Sequence, residues 1–385
     1  MKTLIELYDE RPIENVLGTE VFRPEETVFL CPPEIVSEHA LKETYRRYFE
    51  YRGIPVRVTI VPVSLLDAGK VEKRLRQILE ECPDCAIDIS GGTDAALFAA
   101  GAVGGDTPVY TYSRKRNTFY EIRNAAFARS LPCKVRLDAR SCFLMAGGTL
   151  LKGRENNEDL KTRLADIPKL FGIYKKRRRA WRQQIGYIQR ISSSEPGKLS
   201  AYGRRAEKVE RGRVEADEEF LRELADAGLI LDLAFDGEEV RFRFPDETVR
   251  FWLRDIGSVL ELEVYRACHA AGCFDDIVLS AVVNWEGGSS QRAGVTNEID
   301  VMAVRGIQPL FISCKTCEIK TSALNELAIL RDRFGGKGSR AMIVTSATAS
   351  KDRSLMRMRA GELGIEVAEW KDLSEGRLEE MLRGV

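Results

Sequence analysis

Two α/β domains joined by a helical, winged-helix-like stretch are what the sequence predicts, and three observations predict them. β-rich runs and helical stretches alternate through the first 115 residues. After about Asp138 the pattern turns polar and helical, and from a helix opening at Thr248 strands return in a different order. At 385 residues the chain is long for a single hydrophobic core, so two or three domains are expected. The boundaries fall at residues 1–145, 146–247 and 248–385.

In the first domain the strands are Thr3 to Tyr8, Val28 to Cys31, Val56 to Val61, Cys85 to Ile89 and Pro108 to Tyr112. Helical stretches lie between them at Glu34 to Arg52, Leu65 to Glu81 and Thr93 to Val103. Strands alternating with helices predict a parallel, Rossmann-like sheet with right-handed crossovers.

From Leu151 to Gly203 the chain reads as helical, with a cationic run from Lys175 to Arg179 beside Trp181 and Arg182. Ser192 to Gly197 is a linker loop. Glu218 to Ala227 is an amphipathic helix, and Leu229 to Phe235 with Glu239 to Phe244 form a hairpin around Asp236-Gly237, together a winged-helix-like unit. The last domain opens with one helix, Thr248 to Ala271. A meander follows at Ile277 to Trp285, Glu298 to Val304 and Pro309 to Ser313. The helix Ser322 to Phe334, strand Ala341 to Thr345, helix Asp352 to Leu363 and strand Ile365 to Ala368 complete it.

Lys+Arg and Asp+Glu balance at 59 each, so no global charge draws the molecule to nucleic acid or membrane, and any nucleic-acid site rests on local patches. No apolar run approaches the ~20 residues that span a bilayer. The opening Met1 to Pro12 lacks the apolar core of a secretory signal, so a cytoplasmic protein is expected. The nine cysteines fit small buried residues of such a protein. With only His39 and His269, histidine-based triads and zinc-hydrolase clusters are nearly excluded.

Asp88-Ile-Ser90-Gly91-Gly92-Thr93-Asp94 follows a strand and opens a helix. Two glycines permit a tight turn and close approach of a ligand to backbone N–H groups, and the helix N-terminus favours anions. Tyr8-Asp9-Glu10-Arg11, after the first strand, is expected on the same edge. The same residues also read as a plain turn with Ser90 or Thr93 as helix cap, and spacing does not separate the two.

The sharper pattern is Asn297-Glu298-Ile-Asp300, then Ser313-Cys314-Lys315. Side chains alternate along a strand, so Glu298 and Asp300 share one face, and Ser313 and Lys315 share one face of the next strand. Glu261, on the preceding helix, adds a third carboxylate. Hard oxygen donors of this kind suit Mg²⁺ or Mn²⁺, with the lysine placed to stabilise charge on a phosphate. A solvated hairpin edge is the plainer reading of the carboxylates alone, and the order helix-Glu, strand-Asp, strand-Lys favours the site.

This arrangement resembles the CRISPR ancillary nucleases that join an N-terminal CARF (CRISPR-associated Rossmann fold) domain to a restriction-endonuclease-like, PD-(D/E)xK α/β nuclease domain. The likeness runs through Glu261, Asn297 to Asp300, Cys314-Lys-Thr316, Phe334-Gly-Gly336 and Arg340 to Val344, with Ser90 to Thr93 like the family's Gly-Gly-Thr turn. It implies a homodimer whose CARF pair binds one cyclic oligoadenylate, most often the tetra-adenylate. The ligand would switch on metal-dependent cleavage of RNA or DNA in type III CRISPR antiviral defence. Asp300 becomes a metal ligand, Lys315 the catalytic lysine and Glu261 a supporting acid. Two positions depart from the pattern: Ser313 stands where the family has a glutamate, and Asp94 where a lysine is frequent. Glu326, or else Glu298, is expected to supply the missing carboxylate.

The other readings are a catalytically inactive, cyclic-nucleotide-sensing, nucleic-acid-binding regulator, which Ser313 favours, and a transcription factor using Glu218 to Phe244. Cys82-Pro-Asp-Cys85 and Cys314-Lys-Thr-Cys317 fall in different domains and read as chance pairs rather than a zinc site. Lys175 to Arg179, with Trp181 and Tyr187 as stacking groups, and the arginines from Arg353 to Arg359 after Lys351-Asp352 are either nucleic-acid contacts or solvated helix faces.

Overall fold

In the computed structural model the described residues are 1–38, 40–103, 105–151, 157–209, 212–285, 295–336, 338–347 and 353–384. His39, Lys351 and Asp352 lie outside them. Seven strands form the first sheet, in the order Arg57–Pro62, Glu26–Cys31, Thr3–Leu7, Cys85–Asp88, Val109–Ser113, Thr118–Arg123 and Leu131–Pro132. The first five pair in parallel and the last two antiparallel. Such a sheet presents ligands at the carboxyl ends of its parallel strands. Helices Ala68–Glu81 and Asp94–Ala102 pack over one face, where Leu7, Val28, Leu30, Leu75, Ile87 and Ala99 share a core.

The middle of the chain follows winged-helix order. A long helix, Ile167–Ile191, leads into the strand Ser200–Arg204, the helix Glu218–Asp226 and the hairpin Leu231–Asp236 with Glu239–Arg243. Glu239–Arg243 lies between the other two strands, antiparallel to both.

A third sheet of six strands runs Ile365–Ala368, Arg340–Thr345, Gln308–Lys315, Thr296–Arg305, Asp276–Asn284 and Thr149–Leu150. Its strands are apolar nearly throughout because both faces are covered. Val301, Ala303, Leu310, Ile312, Met342 and Val344 point to a core shared with Trp181, Phe220 and Tyr265. The alternate residues Met302, Val304, Phe311, Ala341 and Ile343 point to a core shared with Phe29, Tyr45, Phe143 and Phe334. One face therefore packs toward the winged-helix unit and the other toward the Rossmann-like sheet. Burying each such side chain contributes roughly 1.5–3 kcal/mol, so the three units are held together by core, not by linkers.

Several local expectations are corrected. The helix expected over Glu34 to Arg52 is two, Pro33–Glu38 and Leu41–Tyr51, parted where Ala40 takes a φ of +43°. The helix expected over Thr248 to Ala271 is also two, Glu247–Trp252 and Ser258–Ala271. Asp246 caps the first through Val249 N–H at 2.9 Å. Gly257 stands at the N-cap of the second, and Asp255, two residues earlier, accepts from Ser258 N–H at 2.8 Å. The stretch read as helical to Gly203 ends in the strand Ser200–Arg204, and Thr149–Leu150 joins the third sheet beside Val283 and Asn284. The antiparallel edge Thr118–Arg123 and the closing helices Trp370–Ser374 and Leu378–Gly384 were not anticipated.

Candidate active site

Asp300 sits at the edge of the antiparallel ladder, one step beyond the paired Val301 and Ile312. There the strands part and the carboxylate takes over the hydrogen bonding. Its Oδ2 accepts from Cys314 N–H at 2.6 Å, from Ser313 Oγ at 3.2 Å and from Lys315 Nζ at 3.4 Å. Three donors on one oxygen fix the carboxylate and bring the ammonium to it. Asp300 is 18 % and Lys315 35 % exposed, so the pair is accessible without being fully solvated.

A cavity of about 60 Å³ opens beside them, lined by Glu298, Asp300, Ser313, Lys315 and, from the helix Thr321–Gly335, Glu326. Five of the six residues singled out in this domain thus share one pocket. Glu326 Oε1 accepts from Asn297 Nδ2 at 2.9 Å, which ties the helix to the Asp300 strand. Glu261 lines the neighbouring cavity, of about 230 Å³, with Ser258 and Ser280. Cys314 is buried within reach of the charges on both sides. Burial first, then the negative charges of Asp300 and Glu261, push its thiol well above the ordinary range.

Ser280 was not visible in the sequence as a site residue. Leu279 pairs with Val301 and Ala281 with Ile299, so Ser280 falls across from Asp300, buried and at a φ of +53°. Its Oγ donates to Glu261 Oε2 at 3.4 Å. A left-handed serine inside a strand is strained, and such strain concentrates at functional sites. No sequence signal announces it, because serine carries no preference for that conformation.

Among the described residues, no three Asp, Glu, His or Cys side chains come together closely enough to hold a metal ion. Oxygen donors nevertheless suit a hard cation, and Mg²⁺ is ordinarily held by one or two carboxylates, with waters and substrate phosphate oxygens completing its shell. Asp300 with Glu298 or Glu326 fits that pattern.

At the edge of the first sheet, Asp9 joins the first-strand loop to the glycine turn. It accepts from Arg11 Nε and Nη2, both at 2.7 Å, and from Gly92 N–H at 3.2 Å. Burial works against the charge, but these bonds hold Asp9 below its usual range. A Cβ on Gly91 would lie 2.7 Å from Asp9 Cβ, and Gly92 has a φ of +97° against Leu7, so both positions require glycine. Thr93 caps the helix at Ala96 N–H (3.3 Å) and donates to Leu65 O, while Ser90 Oγ accepts from Tyr112 N–H at 2.8 Å. Glu10 and Asp94 are exposed, and Tyr8 is half-buried.

The same loop reaches the helix Thr321–Gly335 of the third sheet. A Cβ on Gly336, at the end of Thr321–Gly335, would stand 3.3 Å from Pro12 Cδ and 3.7 Å from Arg11 Cα. Arg333 acts electrostatically on Tyr8, whose hydroxyl burial pushes up to about 12. The helix that brings Glu326 to the pocket therefore ends against the loop that carries Asp9 and Arg11.

Of the cationic segments, Trp181 and Tyr187 are buried and cannot stack on a base, which removes the stacking half of the nucleic-acid alternative. Arg177 is bound to Glu219 (2.7 Å) and Glu223 (3.3 Å), and Arg357 to Glu369 at 3.3 Å. No described helix is long and apolar enough to cross a membrane.

With this geometry in hand, residues 246–384 match the family model described as Card1-like, endonuclease domain. Over these residues the chain is similar to the endonuclease domain of Card1-like proteins. Its fold is that of two solved structures. Protein VC1899 from Vibrio cholerae superposes with a TM-score of 0.74 at 15 % identity, covering 99 % of this chain and 97 % of that one. Can2 from Sulfobacillus thermosulfidooxidans, solved in complex with cyclic tetra-adenylate, gives 0.70 at 15 % identity over 98 % of both chains. No curated protein matches the sequence. The Card1-like match contains Asp300, Lys315, Glu298, Ser313, Glu326 and Glu261.

Proposed function

We propose that this protein is a cyclic-oligoadenylate-activated, metal-dependent endonuclease of type III CRISPR defence, cutting RNA, DNA or both, of the PD-(D/E)xK kind. The observation that carries the reading is the Asp300–Lys315 pair at 3.4 Å, in a pocket shared with Glu298 and Glu326, inside a Card1-like endonuclease domain. Asp300, with Glu298 or Glu326, would hold Mg²⁺ or Mn²⁺, which when bound lowers the pKa of water and neutralises phosphate charge. The chain's own contribution is positional. Cys314 N–H and Ser313 fix the Asp300 carboxylate, and Lys315 places a cation where negative charge develops on the phosphate.

The proposed activator is cyclic tetra-adenylate, the ligand in the Can2 structure, bound at the edge of Tyr8 to Arg11 and Ser90 to Asp94. Direct packing of that loop on Gly336 gives a route from ligand to Glu326. A ligand with higher affinity for one placement of the helix shifts the population toward it. A homodimer is supported by the helix Asp94–Ala102, which is rich in apolar residues yet leaves Phe98 74 % exposed, a face suited to a second copy. The proposed units are a CARF sensor over 1–145, a linker over 146–247 and a nuclease over 248–385.

The test is cleavage of labelled RNA and DNA with Mn²⁺ or Mg²⁺, with and without cyclic tetra-adenylate, against an Asp300→Ala control. Activator- and metal-dependent cutting that the control loses is the expected result. Ser313 favours the second reading, a cleavage-dead, nucleic-acid-binding regulator, because a hydroxyl replaces a carboxylate in the pocket. Ligand and nucleic-acid binding with no cleavage under any of these conditions would establish it and end the nuclease proposal.

A further inference from the structure

Resting on that reading, we infer that Arg179 and Arg182, with Arg178, form a phosphate-binding subsite for the substrate strand, supplied to the nuclease pocket by the long helix of the winged-helix unit. These arginines line a cavity of about 290 Å³ with Thr316, Ser346 and Ala347. The cavity shares a strand end with the candidate active site: Lys315 lines the one, and Thr316, its chain neighbour, lines the other. Thr316 is the first residue beyond the strand Gln308–Lys315, so the two cavities meet at that strand's end. A nucleic-acid strand with one phosphate at Lys315 would pass that end on its way to the arginines.

The wall of this cavity is built and fixed. Ser346 N–H donates to Lys315 O at 3.0 Å, Tyr174 OH to Ser346 Oγ at 2.6 Å, and Arg178 Nη1 to Ser346 O at 2.9 Å. Arg178 also lies 4.2 Å over the Trp370 ring, which holds its guanidinium in place. Arg177 departs from helical geometry at φ −107°, ψ 18° and is anchored on Glu219 and Glu223. The turn that follows presents Arg179 and Arg182, three residues apart and hence neighbours on one helix face. Both are exposed, and neither pairs with a carboxylate of the described residues, whereas Arg177 on the same helix is held by Glu219 and Glu223. Unmatched guanidinium groups at the mouth of a cavity suit phosphate oxygens, which they bind bidentately. An acidic peptide would satisfy the charge, but it has no counterpart for the adjoining Asp300–Lys315 pocket.

The experiment measures anisotropy of fluorescein-labelled single-stranded RNA and DNA on the full-length Asp300→Ala protein with cyclic tetra-adenylate, across a salt series. Arg179→Ala/Arg182→Ala in that background is expected to weaken binding about tenfold or more. It should also reduce the slope of log K against log salt by about 1, near the ~0.7 per phosphate of single strands. Arg179→Lys/Arg182→Lys keeps the slope, and the distant charge-matched pair Lys73→Ala/Arg74→Ala leaves affinity and slope unchanged. Should the double alanine variant bind with the parent's affinity and slope, the subsite is wrong while the nuclease reading stands. Should the Asp300→Ala parent bind neither oligonucleotide and the wild type cut neither, both fall together.

Discussion

The glycine turn of the first sheet and the Asp300 pocket of the third present the same kind of chemistry in opposite states of commitment. At the turn four of the polar groups chosen from the sequence are bonded to one another or to the fold: Asp9 with Arg11 and Gly92, Ser90 with Tyr112, Thr93 with Leu65 and Ala96. In the pocket Asp300 accepts three hydrogen bonds, while Glu298 and Glu326 are exposed beside a cavity with room for an ion and a phosphate oxygen. A pre-bonded turn holds its shape. An open pocket with one fixed carboxylate is ready for chemistry. Asp300→Asn should therefore show the largest effect, a fall in activated cleavage of about 100- to 1000-fold, roughly 3–4 kcal/mol. Initial rates with saturating activator check it, and a loss below tenfold would remove Asp300 from the centre of the site.

A second contrast lies beneath the turn. Asp88 and Glu6 are buried together with Tyr110, and Asp88 accepts from Ser90 N–H at 2.7 Å. Burial raises Asp88 from its ordinary 3.8 to about 6, against the bonds from Ser90 and Tyr110 and with the charge of Glu14. Burial and then Asp88 raise Glu6 well above its usual range. A raised acid keeps its proton in the folded state over a window where the unfolded chain has released it. The stability it contributes is present below about pH 4 and lost as pH rises through about 6. Compared with Asp88→Asn, the wild type is expected to lose on the order of 2–3 kcal/mol across that window. Thermal melts of the two proteins from acid to neutral pH check the difference. Parallel profiles would mean that Asp88 is charged in the fold and that the turn rests on an ion pair instead.

The turn's glycines are the next point of attack. Gly92→Ala forces a side chain onto a φ of +97° with its Cβ 2.9 Å from Leu7 Cβ. The expected cost is about 2 kcal/mol of stability, with weaker binding of cyclic tetra-adenylate and unchanged Mn²⁺-dependent chemistry once the ligand saturates. Calorimetric titration against cleavage rates separates these effects. If affinity is intact, the ligand binds elsewhere on the sheet edge.

How much of this was legible follows from the range of the interactions. The strand periods that set Glu298, Asp300, Ser313 and Lys315 on one pocket are local, and alternation alone gave them. The cap Asp246 is a local feature, but the break at 253–257, between Glu247–Trp252 and Ser258–Ala271, was read through as one helix. Stacking by Trp181 and Tyr187 failed because a helix next to two other units buries aromatics that a lone helix would expose. The contact of Pro12 and Arg11 with Gly336 spans more than three hundred positions of chain, and no local pattern encodes it. Ser280 is hidden for a different reason, since its backbone strain is imposed by the sheet.

The smallest effect sharpens the comparison most, because it asks which carboxylate replaces the one missing at Ser313. Glu298 lies on the Asp300 strand two residues away and shares its face, so it moves with the sheet. Glu326 rides on the helix whose far end meets the sensor loop, so its place in the pocket depends on that packing. If Glu326 is the second ligand, Glu326→Ala lowers activated cleavage about tenfold and raises the Mn²⁺ concentration needed for half-maximal rate, whereas Glu298→Ala changes neither by more than about twofold. Ser313→Glu in the Glu326→Ala background should then recover most of the rate, since it returns a carboxylate to the position across from Asp300. Both alanine variants retaining full metal-dependent cutting would show that no compensating ligand exists. In that case one carboxylate, one lysine and the substrate's own oxygens suffice, and the link from sensor loop to pocket must act through the orientation of the helix rather than through Glu326.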